Sequence, residues 1–178
     1  MRNIFLKPSA PILTKVSQEI SKNQINSAET KRIIQTMLKV AHGKQKDKQK
    51  PIIVGLAAPQ IGISKRIILV DVAANGKGMV GDLKVYINPK ITWASKEKEE
   101  WYEGCDSTGR VCGIVKRPVS IKVKGFTLKS RGVATLPPPR WNLVKEKYTG
   151  YVARIFQHEI DHLNGIRFPD LIKDPEKL

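Results

Sequence analysis

The chain has 178 residues, 40% of them apolar and 27% charged. That is enough to bury a substantial core in one domain, 1–178, and it excludes collagen-like, heptad-only and disordered chains. Lys and Arg number 32 against 16 Asp and Glu, a net charge of +16. Such a surface attracts polyanions by steering and counterion release. Aromatic residues make up only 6%, and no RNP or helix-turn-helix signature stands out. A solubilising lysine-rich surface is therefore the plain reading, with a ribosome or RNA contact as the alternative. Two cysteines exclude a disulfide scaffold, and no apolar run approaches the ~18 residues of a membrane helix. Met1 to Pro8 lacks the apolar stretch of a signal peptide, so a cytoplasmic, reducing location is expected.

The first periodic segment follows Ser27, which is placed to cap a helix with Glu29 in its first turn. Ile33, Ile34, Met37, Leu38 and Ala41 recur at helical spacing, and Gly43 stops the run. Gly43 to Lys50 contains no apolar residue and reads as a solvated, lysine-rich loop insertion. Ile67 to Val72 is a near-continuous apolar run, hence a buried strand. Val85 and Ile87 predict a second strand, broken at Asn88-Pro89. Val119, Ile121 and Val123 alternate with polar residues, so one face is buried and the other wet. Pro137 to Pro139 predict an extended loop. Tyr151, Val152, Ile155, Phe156 and Leu163 restore helical periodicity, which Asn164-Gly165 ends. A helix, then strands, then a late helix define an α+β chain.

The late helix carries Gln157-His158-Glu159-Ile160-Asp161-His162. His158 and His162 are four apart, so both imidazoles lie on one face and can hold one metal ion. Glu159 then reaches a water at the same ion as general base. A catalytic site needs a third protein ligand. Downstream there is only Glu176, near the end, and no further histidine, so the ordinary metalloprotease patterns fail. Cysteine remains: Cys105 in a turn-rich segment, or Cys112, whose bland reading is a small buried hydrophobe. Spacing does not choose between them. A third segment, Gly55-Leu56-Ala57-Ala58-Pro59-Gln60, offers small residues for close backbone approach and an amide that can polarise a carbonyl.

Gly55-Leu56-Ala57-Ala58-Pro59-Gln60, Glu103-Gly104-Cys105-x-Ser107 and Gln157-His158-Glu159-x-Asp161-His162, in this order, resemble the peptide deformylase family. Pro11-Ile12-Leu13, Thr36-Met37 and Gly113-x-Val115-x-Arg117-Pro118 extend the resemblance over most of the chain. It implies antiparallel sheets packed around the helix bearing H-E-x-x-H. It implies that Cys105, rather than Cys112, joins His158 and His162 at the metal. Glu159 would move the proton, Gln60 and the backbone amide of Asp106 would stabilise the oxyanion, and Gly55 would bind the substrate backbone. The implied metal is ferrous iron, with zinc, nickel or cobalt as substitutes. The implied substrate is the formyl group on nascent formyl-methionyl peptides. Two positions depart from the pattern: Asp106 replaces the usual leucine, and Ile53 replaces a glycine. They leave open a metallohydrolase of another small amide or acyl group, or a non-catalytic metal- or RNA-binding relative.

Overall fold

The computed structural model describes residues 5–43, 52–109, 111–128, 141–174, 176 and 178. Apart from Gly43, the expected loop at 43–50 lies outside them, as do the proline run at 137–139 and Arg110. Helix α1 spans Ala28–His42 and begins where the sequence predicts, with the Ser27 hydroxyl accepting from the Thr30 amide at 3.1 Å. Gly43 ends it at φ 55°, a conformation that glycine adopts without steric cost. Ile34, Met37, Val40 and Ala41 form its buried stripe and pack on Leu56, Ile67, Leu69 and Ile87.

The main sheet is antiparallel throughout, in the order β1-β2-β3-β6-β7. Its strands are β1 (Gly55–Ala57), β2 (Ile67–Asp71), β3 (Leu83–Ala94), β6 (Ser120–Leu128) and β7 (Trp141–Thr149). β2 is buried along its whole length, as a strand covered on both faces must be. β4 (Lys98–Gly104) and β5 (Cys112–Pro118) form a separate two-stranded sheet.

Two boundaries differ from the sequence expectation. Asn88-Pro89 does not end a strand: β3 runs on to Ala94, and the pairing with β6 shifts register between Ile87 and Lys90. A bulge absorbs the proline, which has no amide to donate. Asn88 takes φ 51° there. Its side chain accepts from the Ile20 amide at 2.9 Å and donates to the Ile20 carbonyl at 2.7 Å, fixing the irregular backbone. Val119 lies in a bend, and β6 starts at Ser120. The predicted alternation then holds, with Ile121 and Val123 buried and Lys122 and Lys124 exposed.

Helix α2 (Gly150–Leu163) packs across β2 and β1. Ala153, Phe156, Ile160 and Leu163 join Ile68, Val70, Tyr86, Ile121 and Val123 in one core cluster. Its C-terminus is capped by a buried arginine: Arg66 donates to the Leu163 carbonyl at 3.2 Å and to Asn164 Oδ1 at 3.0 Å. A cation is favourable at that end of the helix dipole. Gly165 follows at φ 73°, and a Cβ there would lie 2.6 Å from the Thr14 carbonyl. The predicted stop thus also sets where the chain start packs on α2.

Candidate active site and metal centre

α2 buries polar groups as well as apolar ones: Arg154, Gln157, Glu159 and His162 are all under a tenth exposed. Buried polar groups require partners. The β4–β5 sheet supplies them for Arg154 and Gln157, and Glu103, next to last in β4, is the junction. Its Oε1 accepts from Arg117 Nε at 2.6 Å and from Arg154 Nη1 at 2.7 Å. Its Oε2 accepts from Arg117 Nη2 at 2.9 Å and lies 3.0 Å from His158 Nδ1. Arg117 also donates to Asp161 Oδ2 at 2.7 Å, and Arg154 to the Val115 and Glu99 carbonyls. Gln157 donates to the Pro118 carbonyl at 3.0 Å. Contacts at Arg154, Gln157, His158 and Asp161, on successive turns of α2, thus lock the small sheet onto the helix.

The lock also orients the histidines. With His158 Nδ1 committed to Glu103, its Nε2 is left for another ligand, the carboxylate–histidine arrangement that fixes metal-binding imidazoles. The side chains of Cys105, His158 and His162 converge so that their donor atoms lie within 4.8 Å of one another. Cys105 Sγ is 3.3 Å from His162 Nε2. A thiolate and two imidazoles suit a tetrahedral ion with one open position, so the donor set fits a divalent metal. Cys112 is outside this group. It is exposed on β5 rather than a buried hydrophobe.

Cys105 sits just beyond β4, where the Thr108 amide and hydroxyl both donate to its carbonyl, at 3.1 and 2.9 Å. Gln60 is buried in the 3-10 turn after β1. Its Oε1 accepts from the Ala57 amide at 2.6 Å, and its Nε2 donates to Cys105 Sγ at 3.2 Å. The amide is therefore held with its N–H groups toward the thiol. Gly55 has a steric reason to be glycine. A Cβ there would collide with Glu159 Oε1 and lie 2.8 Å from Ile155 Cγ2. The carboxylate of Glu159 occupies the space a side chain would fill. Its Oε2 is buried without a hydrogen-bond partner among the described residues.

These surroundings set the charges. Burial raises Glu159 to about 7, against the opposing His158 cation. Burial also disfavours an ionised Glu103, but hydrogen bonds from His158 and Arg117 hold it down at about 2. Burial lowers His162 to about 3, reinforced by the cations at His158 and Arg117, so it is neutral, as a ligand must be. For His158 burial is outweighed by hydrogen bonds to Cys105 and Glu103, which raise it to about 10 without a metal; a metal bound at its Nε2 would displace that proton.

Gly55, Gln60, Cys105, His158 and Glu159 line one cleft of about 500 Å³, with Tyr102, Val111 and Cys112 also on its wall. Of the two departures, Asp106 lines this cleft and is solvent-exposed, so its carboxylate is not buried at the donor cluster. Ile53 is not among the residues with positive φ; it packs on the core and lines the cleft, narrowing it without backbone strain. Sequence reasoning gave no role to Glu103, Arg117, Arg154 or Asp161. Arg154 did carry a signal: it precedes His158 by four, as His158 precedes His162, so all three share a face.

A buried H-E-x-x-H helix whose histidines converge with a cysteine beside a buried carboxylate has the donor set of a mononuclear metallohydrolase. The polypeptide deformylase family model matches residues 1–178, and the chain belongs to that family. The family is metal-dependent, and its members remove the formyl group from the N-terminus of nascent peptides. The peptide deformylase of Desulforudis audaxviator is 43% identical over 117 residues, 66% of this chain and 65% of that protein. The chain thus spans just under two thirds of that relative's length in the match. The peptide deformylase of Pelotomaculum thermopropionicum is 38% identical over 174 residues, 98% of this chain and 89% of its own. Among solved structures, a class I type b peptide deformylase from Acinetobacter baumannii superposes with TM-score 0.78 at 32% identity, covering 95% of this chain and 98% of that one. The same enzyme bound to Met-Ala-Ser gives 0.74 at 32% identity, covering 94% and 96%. An inhibitor complex of Plasmodium falciparum peptide deformylase gives 0.72 at 29% identity, covering 96% and 89%.

Proposed function

We propose that this chain, acting as one catalytic domain, hydrolyses the formyl group from formyl-methionyl nascent peptides. The observation that carries the reading is the convergence of Cys105, His158 and His162 donor atoms beside a buried Glu159 that is packed against Gly55. Family membership and the Met-Ala-Ser complex of the A. baumannii relative support the substrate class. In this reading Cys105, His158 and His162 hold one divalent ion, ferrous iron by family resemblance, with zinc, nickel or cobalt as substitutes. The ion supplies Lewis-acid polarisation of the formyl carbonyl and a lower pKa for water.

The residues of the chain do the rest. Glu159 takes a proton from the attacking water as the new C–O bond forms. It returns that proton to the amine as the C–N bond breaks, releasing formate and a free N-terminus. Gln60 has two N–H donors; one is committed to Cys105, and the other is available to the developing oxyanion, beside the Asp106 amide. Gly55 presents its backbone to the peptide. Glu103 holds His158 in its ligand orientation.

No helix is long and apolar enough to cross a membrane among the described residues. A cytoplasmic location beside the ribosome fits the substrate, and the charge of +16 supports encounter with ribosomal RNA. The test is a panel of formylated and acetylated Met-Ala-Ser peptides given to anaerobically metallated protein. Formate release with no acetate release is the expected result. Equal or preferred release of acetate would overturn the substrate assignment.

A further inference from the structure

The face of the main sheet turned away from α2 carries a lattice of cations around one indole. Ile121 and Val123 point into the α2 core, so Lys122 and Lys124 point the other way. Across the ladder Lys122 pairs with Lys147 and Lys124 with Lys145; on the other side Lys124 pairs with Lys90 and Lys122 with Trp93. Cross-strand partners share a face, so these side chains stand together. Trp93 is 45% exposed, and its ring has Lys122 Nζ at 5.6 Å and Lys147 Nζ at 5.9 Å from its centroid. Lys90 is ion-paired with Glu19 at 2.6 Å; Lys122, Lys124, Lys145 and Lys147 have no carboxylate partner among the described residues.

Like charges directly opposite one another destabilise a sheet. Here such pairs stand side by side, and the polar face of a strand does not require them. A polyanion laid across the ladder converts this repulsion into attraction. The indole narrows the choice of polyanion. Two ammonium groups lie over its ring; drawn off onto phosphates, they would open the flat face to stacking of an unpaired base. An acidic peptide would leave the ring unused, and a membrane would call for more apolar surface than one indole and the neighbouring exposed Leu143.

We propose that this face binds single-stranded RNA, with a base stacked on Trp93 and phosphates on Lys122, Lys124, Lys145 and Lys147. It locates on one surface the RNA encounter that net charge supports in general. It does not depend on the catalytic reading, because the platform and the cleft helix lie on opposite faces of the sheet.

The test uses the full chain and fluorescein-labelled twelve-nucleotide single-stranded RNA, read by anisotropy over a salt series. The expected log–log salt slope for these contacts is about −3, at roughly 0.7 per neutralised phosphate. Trp93→Ala weakens binding about tenfold, within the range for one base stack, and Trp93→Phe restores most of it. Lys122→Glu with Lys147→Glu weakens binding tenfold or more and flattens the slope by about 1.4. Lys31→Glu with Lys39→Glu, the same charge change on the exposed side of α1, shifts binding less than threefold. All variants keep wild-type circular dichroism and wild-type deformylation of a short peptide. Equal loss in the α1 control, or no effect of Trp93→Ala, overturns the proposal. So does equally tight, Trp93-dependent binding to phosphatidylserine vesicles or to polyglutamate. Failed deformylation with intact RNA binding would instead remove the catalytic reading alone.

Discussion

The two helices are nearly the same length, 15 residues in α1 and 14 in α2, yet they are built on different principles. The buried residues of α1 are apolar apart from Thr30, whose hydroxyl donates to the Gln24 carbonyl. It needs nothing from its neighbours but shape. α2 buries Arg154, Gln157, Glu159 and His162 among its apolar residues. A separate two-stranded sheet answers Arg154 and Gln157, while His162 meets Cys105 and Glu159 Oε2 is left without a hydrogen-bond partner among the described residues. A helix that serves packing alone has no use for such a row. The difference between the helices marks where the fold gives up simple burial to hold chemistry.

Substitutions on the two helices should therefore fail in different ways. The largest expected effect is Glu159→Ala, which should lower turnover by about 10²–10⁴-fold while the metal content stays near one per chain. Glu103→Ala removes the common partner of two arginines and a histidine. It should cost about 3–5 kcal/mol of stability and roughly 10–100-fold in metal affinity, read by urea unfolding and metal titration. Met37→Ala, at a fully buried position of α1, should cost a comparable ~2–5 kcal/mol. Unlike Glu103→Ala, it should leave kcat and metal affinity of the folded fraction unchanged. A loss of metal affinity there would erase the contrast.

A smaller effect has a sign set by burial. The folded chain raises Glu159 from an ordinary 4.5 to about 7. Between those values the folded state binds more protons than the unfolded state, so stability falls as pH rises. Metal-free Glu159→Gln should accordingly match wild type near pH 4 and exceed it by up to about 3 kcal/mol at pH 8. Denaturant melts at both values check this. The smallest effect is Ser27→Ala at the start of α1, about 1 kcal/mol of stability with activity intact.

Much of this arrangement is legible in the chain itself. α1 with its Ser27 cap and Gly43 stop, the body and stop of α2, and the buried β2 follow from periodicity and stop residues, because each is a local property. The convergence of Cys105 with His158 and His162 is not local. Residue types and the resemblance point to it, but spacing alone left Cys112 as a rival. The continuation of β3 past Asn88-Pro89 was hidden because a tertiary contact, the paired hydrogen bonds to Ile20, holds the bulge. Glu103 and Arg117 sat inside recognisable motifs without an evident task. Their role appears only when β4, β5 and α2 are brought together, since a carboxylate becomes a junction through its neighbours. The lysine platform is hidden for the same reason: only the register of β3, β6 and β7 gathers residues spread from 90 to 147.

The role of Glu159 is decided by comparing wild type with Glu159→Ala, both purified anaerobically and loaded with ferrous iron or nickel. Formate released from formyl-Met-Ala-Ser would be measured beside metal content. The expected result is one metal per chain in both proteins, with turnover in Glu159→Ala lower by about 10²–10⁴-fold. Full metal loading and a correct fold with no turnover in wild type, or undiminished turnover in Glu159→Ala, would contradict it.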